Sequence, residues 1–209
     1  MSKLKIGRMV IGIYSTNCYL IYYDESKECI VIDPADAGDQ IYETLTKKGF
    51  SIQAIFLTHG HFDHIWGAKA LQQNSGAKIY ALLDEKELCE DARLNVSEGA
   101  GRAYTLTPDI CVTDGEEIDV AGITCKVIAT PGHTKGSCCY YFEDAGILVC
   151  GDTVFLESVG RTDLPTGSNS QLIRSIRERI FTLPDGVLLY PGHGDSTTVE
   201  HEKQYNPYV

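Results

Sequence analysis

A short segment in the first third of the chain concentrates residues that bind metals. It reads Thr58-His59-Gly60-His61-Phe62-Asp63-His64, so three of the protein's six histidines and one aspartate fall within six residues. Zinc and related divalent cations readily accept neutral imidazole and carboxylate as ligands. A generic surface loop has no need for three imidazoles. We therefore interpret this segment as part of a metal centre.

Similar residue types follow three other predicted strands. His133 comes after Thr130-Pro131-Gly132, Asp152 comes after Cys150-Gly151, and His193 comes after Pro191-Gly192. Five of the six histidines thus lie in turns that directly follow apolar segments. Such strand ends combine a rigid scaffold with an open loop, which is where packed sheets place functional groups.

The local geometry of the cluster favours two adjacent ions. Residues i and i+2 of an extended segment point to the same side, so His59 and His61 can converge on one ion. Asp63 and His64 lie where the chain turns into the next predicted helix and face a different direction. Three residues from the other turns can complete the two ligand sets: His133 in the first, His193 in the second, and Asp152 as a bridge.

The hydrophobic pattern predicts the elements that position these residues. Strands are predicted at 6–13, 18–23, 29–32, 52–57, 78–82, 117–120, 123–128, 137–142, 146–150 and 187–190. Helices are predicted at 39–48, 65–73, 84–91 and 170–181, and a polar, Gly-rich surface loop at 95–105. Strands dominate, with helices interspersed in both halves. A two-sheet core covered by helices fits this order better than a Rossmann-type alternation.

Composition indicates which partners are unfavourable and in which compartment the protein is expected. The chain has 209 residues and a net charge of −11, which argues against nucleic acid or an anionic membrane as the main partner. The eight cysteines contain no CxxC pair, and several lie in apolar runs, which is typical of buried reduced thiols. We find no signal peptide and no apolar run long enough for a membrane span. We therefore expect a cytoplasmic protein.

The order of these ligand-type residues resembles the metallo-β-lactamase superfamily. The pattern His-x-His-x-Asp-His is followed by a His, an Asp and a His, each after a predicted strand, and the likeness runs from Asn17-Cys18-Tyr19 to His193. It implies an α+β fold, specifically a four-layer αββα sandwich with the metals at one edge of the two sheets. It also implies a single domain that spans residues 1–209.

The resemblance implies a ligand set and two divalent metal ions per chain, with Zn expected and Fe or Mn also compatible. The first ion would take His59, His61 and His133; the second would take Asp63, His64 and His193; Asp152 and a hydroxide would bridge them. Asp63 and Asp152 are the catalytic candidates, because Asp63 would orient the hydroxide in addition to binding metal. Arg161 is a candidate for binding a substrate carboxylate, and an ion pair with Asp163 is its alternative role.

Several branches of the superfamily fit the chain less well. Asp152 stands where one group of β-lactamases carries a metal-binding cysteine, which disfavours β-lactamase activity. The flavodiiron branch has Glu at the position of His61, and RNase Z-type nucleases need a basic surface. The segments 151–155 and 158–165 look like the glyoxalase II group, above all its compact bacterial members. Sixteen residues follow His193, so we expect no C-terminal helical domain to hold glutathione. Which thiol carries the acyl group of the substrate is therefore left open.

We therefore predict a binuclear metal-dependent hydrolase that cleaves a small-molecule thioester such as S-D-lactoylglutathione. The competing prediction is a persulfide dioxygenase, which would use one iron at His59, His133 and Asp152. That branch shares the segment 160–163, and all seven ligands occur in it too. A catalytically silent metal-binding scaffold is the third alternative, which is disfavoured because no ligand is missing. The oligomeric state is left open.

Overall fold

The protein is described here by a computed structural model that covers residues 3–209. Its strands are β1 (Leu4–Ile11), β2 (Thr16–Tyr23), β3 (Glu28–Ile32), β4 (Ser51–Phe56), β5 (Lys78–Leu82), β6 (Ile110–Val112), β7 (Glu117–Val120), β8 (Ile123–Ala129), β9 (Cys138–Phe142), β10 (Ile147–Gly151), β11 (Val154–Phe155), β12 (Ser158–Val159), β13 (Leu188–Pro191) and β14 (Thr197–Thr198). Its α-helices are α1 (Gly38–Lys47), α2 (Phe62–Ile65), α3 (Ala68–Ser75), α4 (Lys86–Glu90), α5 (Asn169–Ser175) and α6 (Val199–Tyr205).

The strands form two six-stranded sheets and a small hairpin. The first sheet keeps the chain order β1-β2-β3-β4-β5-β6, and it is antiparallel up to β3 and parallel from β3 onward. The second sheet has the order β14-β13-β10-β9-β8-β7, in which only β10 and β13 are parallel. The hairpin pairs β11 with β12.

Alternation along the strands sorts the apolar side chains into separate layers of core. In β3, Cys29 and Val31 pack with the helices outside the first sheet, whereas Ile30 and Ile32 pack between the two sheets. This follows from the two-residue period of a strand. A third cluster lies on the outer face of the second sheet.

One helical layer covers each outer face. α1 contributes Ile41 and Leu45 to the cluster on the first sheet, and Leu172 of α5 lies in the cluster on the second sheet. Three apolar interfaces between four layers make an αββα sandwich. The fold class implied by the sequence resemblance is thereby confirmed.

Some helix predictions were wrong in detail. The predicted helix at 65–73 is two helices, α2 and α3, which meet at Gly67. A side chain at Gly67 has no room there, since its Cβ would lie 2.7 Å from the Pro34 carbonyl oxygen and 2.8 Å from the Gly38 amide nitrogen. The predicted helix at 84–91 begins as a 3₁₀ turn at Leu83–Glu85, and the predicted helix at 170–181 widens into a π turn at Ile176–Ile180.

Strand predictions differ mainly at the ends. The first predicted strand at 6–13 runs two residues too far, because the turn into β2 begins at Gly12, whose φ is +74°. The hydrophobic pattern does not predict β6, β11, β12 and β14, which have only two or three residues each. So short a segment carries too little pattern to be recognised.

The cysteines agree with the expectation of reduced thiols. All eight are free, and seven of them are buried. Within residues 3–209, no helix is both long enough and apolar enough to cross a membrane.

Candidate metal centre

The candidate site lies where four strands end at one edge of the sandwich. β4 of the first sheet leads into the histidine cluster, and β8, β10 and β13 of the second sheet lead to the three further turns. Backbone contacts join the two sheets at this edge: the Cys138 amide donates to the Thr58 carbonyl at 2.9 Å, and the Asn17 amide donates to the Gly192 carbonyl at 2.7 Å. The seven predicted ligands therefore stand on two sheets that are connected beside them.

His59, His61 and His133 form the first group. Nε2 of His133 lies 2.9 Å from Nδ1 of His61 and 3.2 Å from Nε2 of His59. All three side chains are buried. Their nitrogens converge closely enough to hold one cation.

Asp63, His64 and His193 form the second group. Nε2 of His193 lies 3.2 Å from Oδ2 of Asp63 and 3.4 Å from Nε2 of His64. His64 is fully buried, whereas His193 is partly open to solvent. This group also has the spacing of a cation site, and its exposed member marks the side from which a substrate can approach.

Asp152 lies between the two groups. Its Oδ1 is 3.4 Å from Nε2 of His64, and its Oδ2 is 3.5 Å from Nε2 of His133 and 3.6 Å from Nε2 of His193. One carboxylate thus faces both donor sets. The structure brings all seven predicted residues together, and it gives Asp152 the central position that a bridging ligand needs.

Hydrogen bonds on the far side of four imidazoles fix which nitrogen faces the centre. Nδ1 of His133 lies 2.7 Å from the Arg161 carbonyl, and Nδ1 of His193 lies 3.1 Å from the Tyr14 carbonyl. A carbonyl only accepts, so each Nδ1 carries the proton and each Nε2 presents a lone pair. His64 and His59 are oriented likewise, by Asp33 Oδ2 at 2.9 Å and by Thr58 Oγ1 at 3.1 Å.

The residues present fit a pair of divalent cations. Lone pairs of neighbouring imidazoles point at one another, an arrangement that is repulsive until a cation or a proton lies between them. Oδ1 of Asp152 is buried and has no hydrogen-bond partner in the part of the chain that the structure describes. A buried carboxylate oxygen without a partner is costly, and metal coordination removes that cost. Imidazole and carboxylate ligands without cysteine are typical of a catalytic rather than a structural site.

The electrostatics of the two groups differ. Burial lowers the pKa of His61 to about 3, and it also lowers the pKa of His59 and His133, so these rings are neutral at pH 7 and ready to bind metal. Burial also acts on His64, but the neighbouring carboxylates, Asp152 foremost, outweigh it and raise its pKa well above the ordinary value. Asp152 and Asp63 therefore place negative charge around His64, which favours cation binding there.

Sequence reasoning missed several residues that support the ligands. Asp33 accepts hydrogen bonds from the Thr58 amide at 2.8 Å and the Thr58 hydroxyl at 2.7 Å, in addition to its contact with His64. Thr16 donates its hydroxyl to Oδ2 of Asp63 at 3.2 Å. The only local signal at Asp33 was its place before Pro34 at a strand end, which indicates a turn as readily as a functional group.

Arg161 adopts one of its two predicted roles. Its guanidinium binds Asp163 through Nε and one terminal nitrogen, each at 2.7 Å, and both side chains are exposed. Its backbone carbonyl, not its side chain, contacts the metal group through His133. A role in binding substrate stays a prediction.

The fold and the site together define the class of protein. The chain belongs to the metallo-β-lactamase superfamily, whose family model matches residues 11–193. Among its relatives, it is 35% identical over 208 residues to the probable metallo-hydrolase YqgX of Bacillus subtilis, covering 99% of this chain and 98% of that protein. It is 29% identical over 209 residues to the hydroxyacylglutathione hydrolase GloC of Haemophilus influenzae, with the same coverage.

Three solved structures resemble this chain along nearly its whole length. The BLEG-1 B3 metallo-β-lactamase superposes with a TM-score of 0.93 at 33% identity, covering 98% of this chain and 99% of that one. TTHA1623 in a di-iron-bound form gives a TM-score of 0.85 at 30% identity and coverages of 97% and 100%. ETHE1 from Myxococcus xanthus gives 0.78 at 28% identity and coverages of 97% and 83%.

Proposed function

We propose that the protein is a two-metal hydrolase that cleaves small-molecule thioesters such as S-D-lactoylglutathione. The observation that carries the proposal is the position of Asp152 between two complete donor groups. The likeness to a hydroxyacylglutathione hydrolase along 99% of the chain supports the choice of substrate class. The likeness to a di-iron protein leaves iron as well as zinc open as the metal.

His59, His61 and His133 would hold the first ion, Asp63, His64 and His193 the second, and Asp152 would contact both. When bound, two divalent cations supply Lewis acidity that polarises a carbonyl and a source of hydroxide at neutral pH. The chain's own contribution is to orient the imidazoles so that one nitrogen of each faces the metal positions. The Arg161 and Tyr14 carbonyls and Asp33 do this by holding a proton on Nδ1 of His133, His193 and His64.

Asp63 is the best-placed side chain for orienting a nucleophile. Its Oδ2 lies between the Thr16 hydroxyl and Nε2 of His193, and the side chain is partly open. The pKa of Asp63 is lowered, since His64 and His193 outweigh the opposing effect of burial, so it is a carboxylate at neutral pH. No strong general acid is required, because a thiol has a pKa near 8.5 and its thiolate leaves readily.

The persulfide dioxygenase is the second candidate, since ETHE1 shares the fold and 28% of the aligned residues. Its three iron ligands would correspond to His59, His133 and Asp152. The donor group Asp63, His64 and His193 would then have no cation to hold. Because all seven ligands also occur in the dioxygenase branch, the second group does not decide between the two candidates; the likeness to a hydroxyacylglutathione hydrolase along 99% of this chain and 98% of that protein favours the hydrolase.

A substrate panel tests the proposal. Purified protein is assayed for thiol release from S-D-lactoylglutathione, for oxygen uptake with glutathione persulfide and for hydrolysis of a β-lactam, which the likeness to BLEG-1 requires as a comparison. We expect thiol release only. Oxygen uptake or β-lactam cleavage as the dominant activity would overturn the proposal.

Two variants sharpen the assay. Asp152→Ala is expected to lose metal retention and turnover together. The matched control is His201→Ala, since His201 pairs with Glu157 on the surface, outside the seven-residue site. Full activity in Asp152→Ala would refute the two-metal mechanism.

A further inference from the structure

We propose that Glu85 is a positioning residue that sets the spacing between the loop carrying His59 and His61 and the loop carrying His133. The inference rests on the metal assignment of the proposed function and is independent of the substrate. Within residues 3–209, the hydrogen bonds of Glu85 go to residues beside the ligands rather than to any of the seven ligands. It acts through the backbone of the two loops.

Glu85 joins these loops through a single carboxylate. It ends the 3₁₀ turn that follows β5, and its side chain is buried, with 1% of its surface exposed. Oε1 accepts the Gly60 amide at 2.8 Å, and Oε2 accepts the Gly136 amide at 2.9 Å. Gly60 lies between His59 and His61, and Gly136 lies three residues after His133. Each oxygen therefore holds one histidine-bearing loop.

Close backbone packing adds to this connection. A Cβ on Gly136 would lie 2.2 Å from the Glu85 amide nitrogen, and a Cβ on Gly60 would lie 2.8 Å from Sγ of Cys89. Gly60 and Gly136 thus pack directly against the short segment 84–89, and a side chain at either glycine would clash with that segment. The carboxylate and these two contacts together fix how far apart the two loops stand.

Burying the carboxylate of Glu85 costs free energy, because burial disfavours its charged form. Burial raises the pKa of Glu85 to about 7, even though the amides of Gly60 and Gly136 favour the charged form. A neutral or apolar side chain would avoid that cost. Only a group with two equivalent acceptor oxygens, however, satisfies two backbone donors that point at it from opposite loops.

Glu85→Gln is therefore the informative substitution. Glutamine has nearly the same shape, but its amide NH₂ would face one of the two backbone N–H groups, so one loop loses its anchor. Supporting residues around metal ligands typically contribute about 10- to 100-fold in metal affinity. We expect Glu85→Gln to weaken one of the two metal equivalents by that factor and to leave the other unchanged.

Metal affinity is measured by competition with a zinc chelator at pH 8, where the carboxylate form of Glu85 prevails. To identify the affected site, the same substitution is made in His193→Ala protein, in which the first donor group is intact. That background should retain one zinc, and adding Glu85→Gln should weaken it about 10- to 100-fold. Equal weakening of both equivalents, or no change, would overturn the inference.

Matched controls separate positioning from general destabilisation. Glu202 is the other fully buried glutamate among the described residues; it accepts bonds from Glu157, Thr197 and Asn206, none of which is a proposed ligand. Glu202→Gln should lower the melting temperature and keep both zinc ions at unchanged affinity. If it loses zinc as Glu85→Gln does, the effect is structural and the inference fails.

A second variant tests the same connection without altering the carboxylate. Gly136→Ala should separate the loops and weaken the same zinc equivalent, whereas Gly186→Ala, which has open space around its Cβ, should not. Gly136→Ala also serves if Glu85→Gln fails to fold. Wild-type protein that binds no metal would refute the proposed function as well, whereas two zinc ions of unchanged affinity in Glu85→Gln would refute the positioning role alone.

Discussion

Oδ2 of Asp33 lies 2.9 Å from Nδ1 of His64, at the point where β3 ends beside the start of α2. Both side chains are buried, and Asp33 also accepts two hydrogen bonds from Thr58. The contact holds a proton on Nδ1 of His64, so that Nε2 faces Asp152, Asp63 and His193. Asp33 thereby orients His64, a ligand of the second group. It also anchors Thr58, which directly precedes His59 of the first group.

Asp33→Asn should weaken the second metal site. The asparagine keeps the acceptor for the Thr58 amide, but its NH₂ group would face both the Thr58 hydroxyl and Nδ1 of His64. We expect metal affinity at one of the two sites to fall about 10- to 100-fold, measured by zinc competition. The control is Asp119→Asn in β7, where the Asp119 side chain accepts hydrogen bonds from the Gly122 amide and the Thr124 hydroxyl, neither of which is near a ligand in sequence. Unchanged zinc affinity in Asp33→Asn would contradict the orienting role.

Gly192→Ala should displace the central carboxylate. A Cβ at this position would lie 2.1 Å from Oδ1 of Asp152 and 2.6 Å from Cε1 of His64. Neither atom can withdraw without moving a proposed ligand. We expect the variant to retain less than one metal per chain by elemental analysis and to lose at least about 100-fold in kcat/KM, as displacement of a positioning group does. Gly186→Ala should match the wild type in both measurements.

Glu85 gives the metal-free protein a pH-dependent stability. Burial raises its pKa from 4.5 to about 7, so the folded state holds a proton that the unfolded chain has already released between those values. The group therefore contributes stability at low pH, and that contribution is lost as pH rises to about 7. Glutamine does not titrate. Relative to Glu85→Gln, the free energy of unfolding of the wild type should fall by roughly 2 to 3 kcal/mol between pH 5 and pH 8.

Urea unfolding of both proteins in chelator at the two pH values measures this difference. Because all other titrating groups are shared, their contributions cancel in the comparison. If the free energy of unfolding changed with pH in the same way in both proteins, Glu85 would be ionised throughout this range. That result would contradict the raised pKa expected from its burial.

Arg161→Ala separates the side chain from the backbone at that position. The carbonyl that orients His133 is retained, so metal content should not change. If the guanidinium binds a substrate carboxylate, KM should rise about tenfold with little change in kcat, since a hydrogen bond to a charged group contributes about 1.5 kcal/mol. Asp163→Asn should lower KM or leave it unaltered, because it releases the guanidinium from its ion pair. A fall in kcat with unaltered KM would exclude the binding role.

The metal ligands could be predicted from the sequence, whereas the residues that hold them in position could not. The seven ligand-type residues could be named in advance because each follows an apolar strand and because metals require particular side chains. Glu85 could not, since it lies in a segment with an ordinary helical pattern and its partners, Gly60 and Gly136, are 25 and 51 residues away. Only the packed sandwich brings those amides to one carboxylate.

The boundaries of strands and helices likewise divide into those that a local pattern predicts and those that tertiary contacts determine. The strand prediction at 78–82 matches β5, and that at 117–120 matches β7, because two-residue alternation is a local property. The break between α2 and α3 is set by the approach of Gly67 to Pro34 and Gly38, a tertiary contact with no local signal. β6, with three residues, likewise carries no clear local pattern and is defined by its parallel pairing with β5.

Metal stoichiometry measured together with activity tests the central claim most directly. Protein purified without added metal is analysed for metal per chain, and the same preparation is assayed for S-D-lactoylglutathione hydrolysis and for oxygen uptake with glutathione persulfide. The account predicts about two metals per chain, as the two donor groups imply, and thiol release without oxygen uptake. A single iron per chain with persulfide-dependent oxygen uptake would contradict it and assign the site to a dioxygenase.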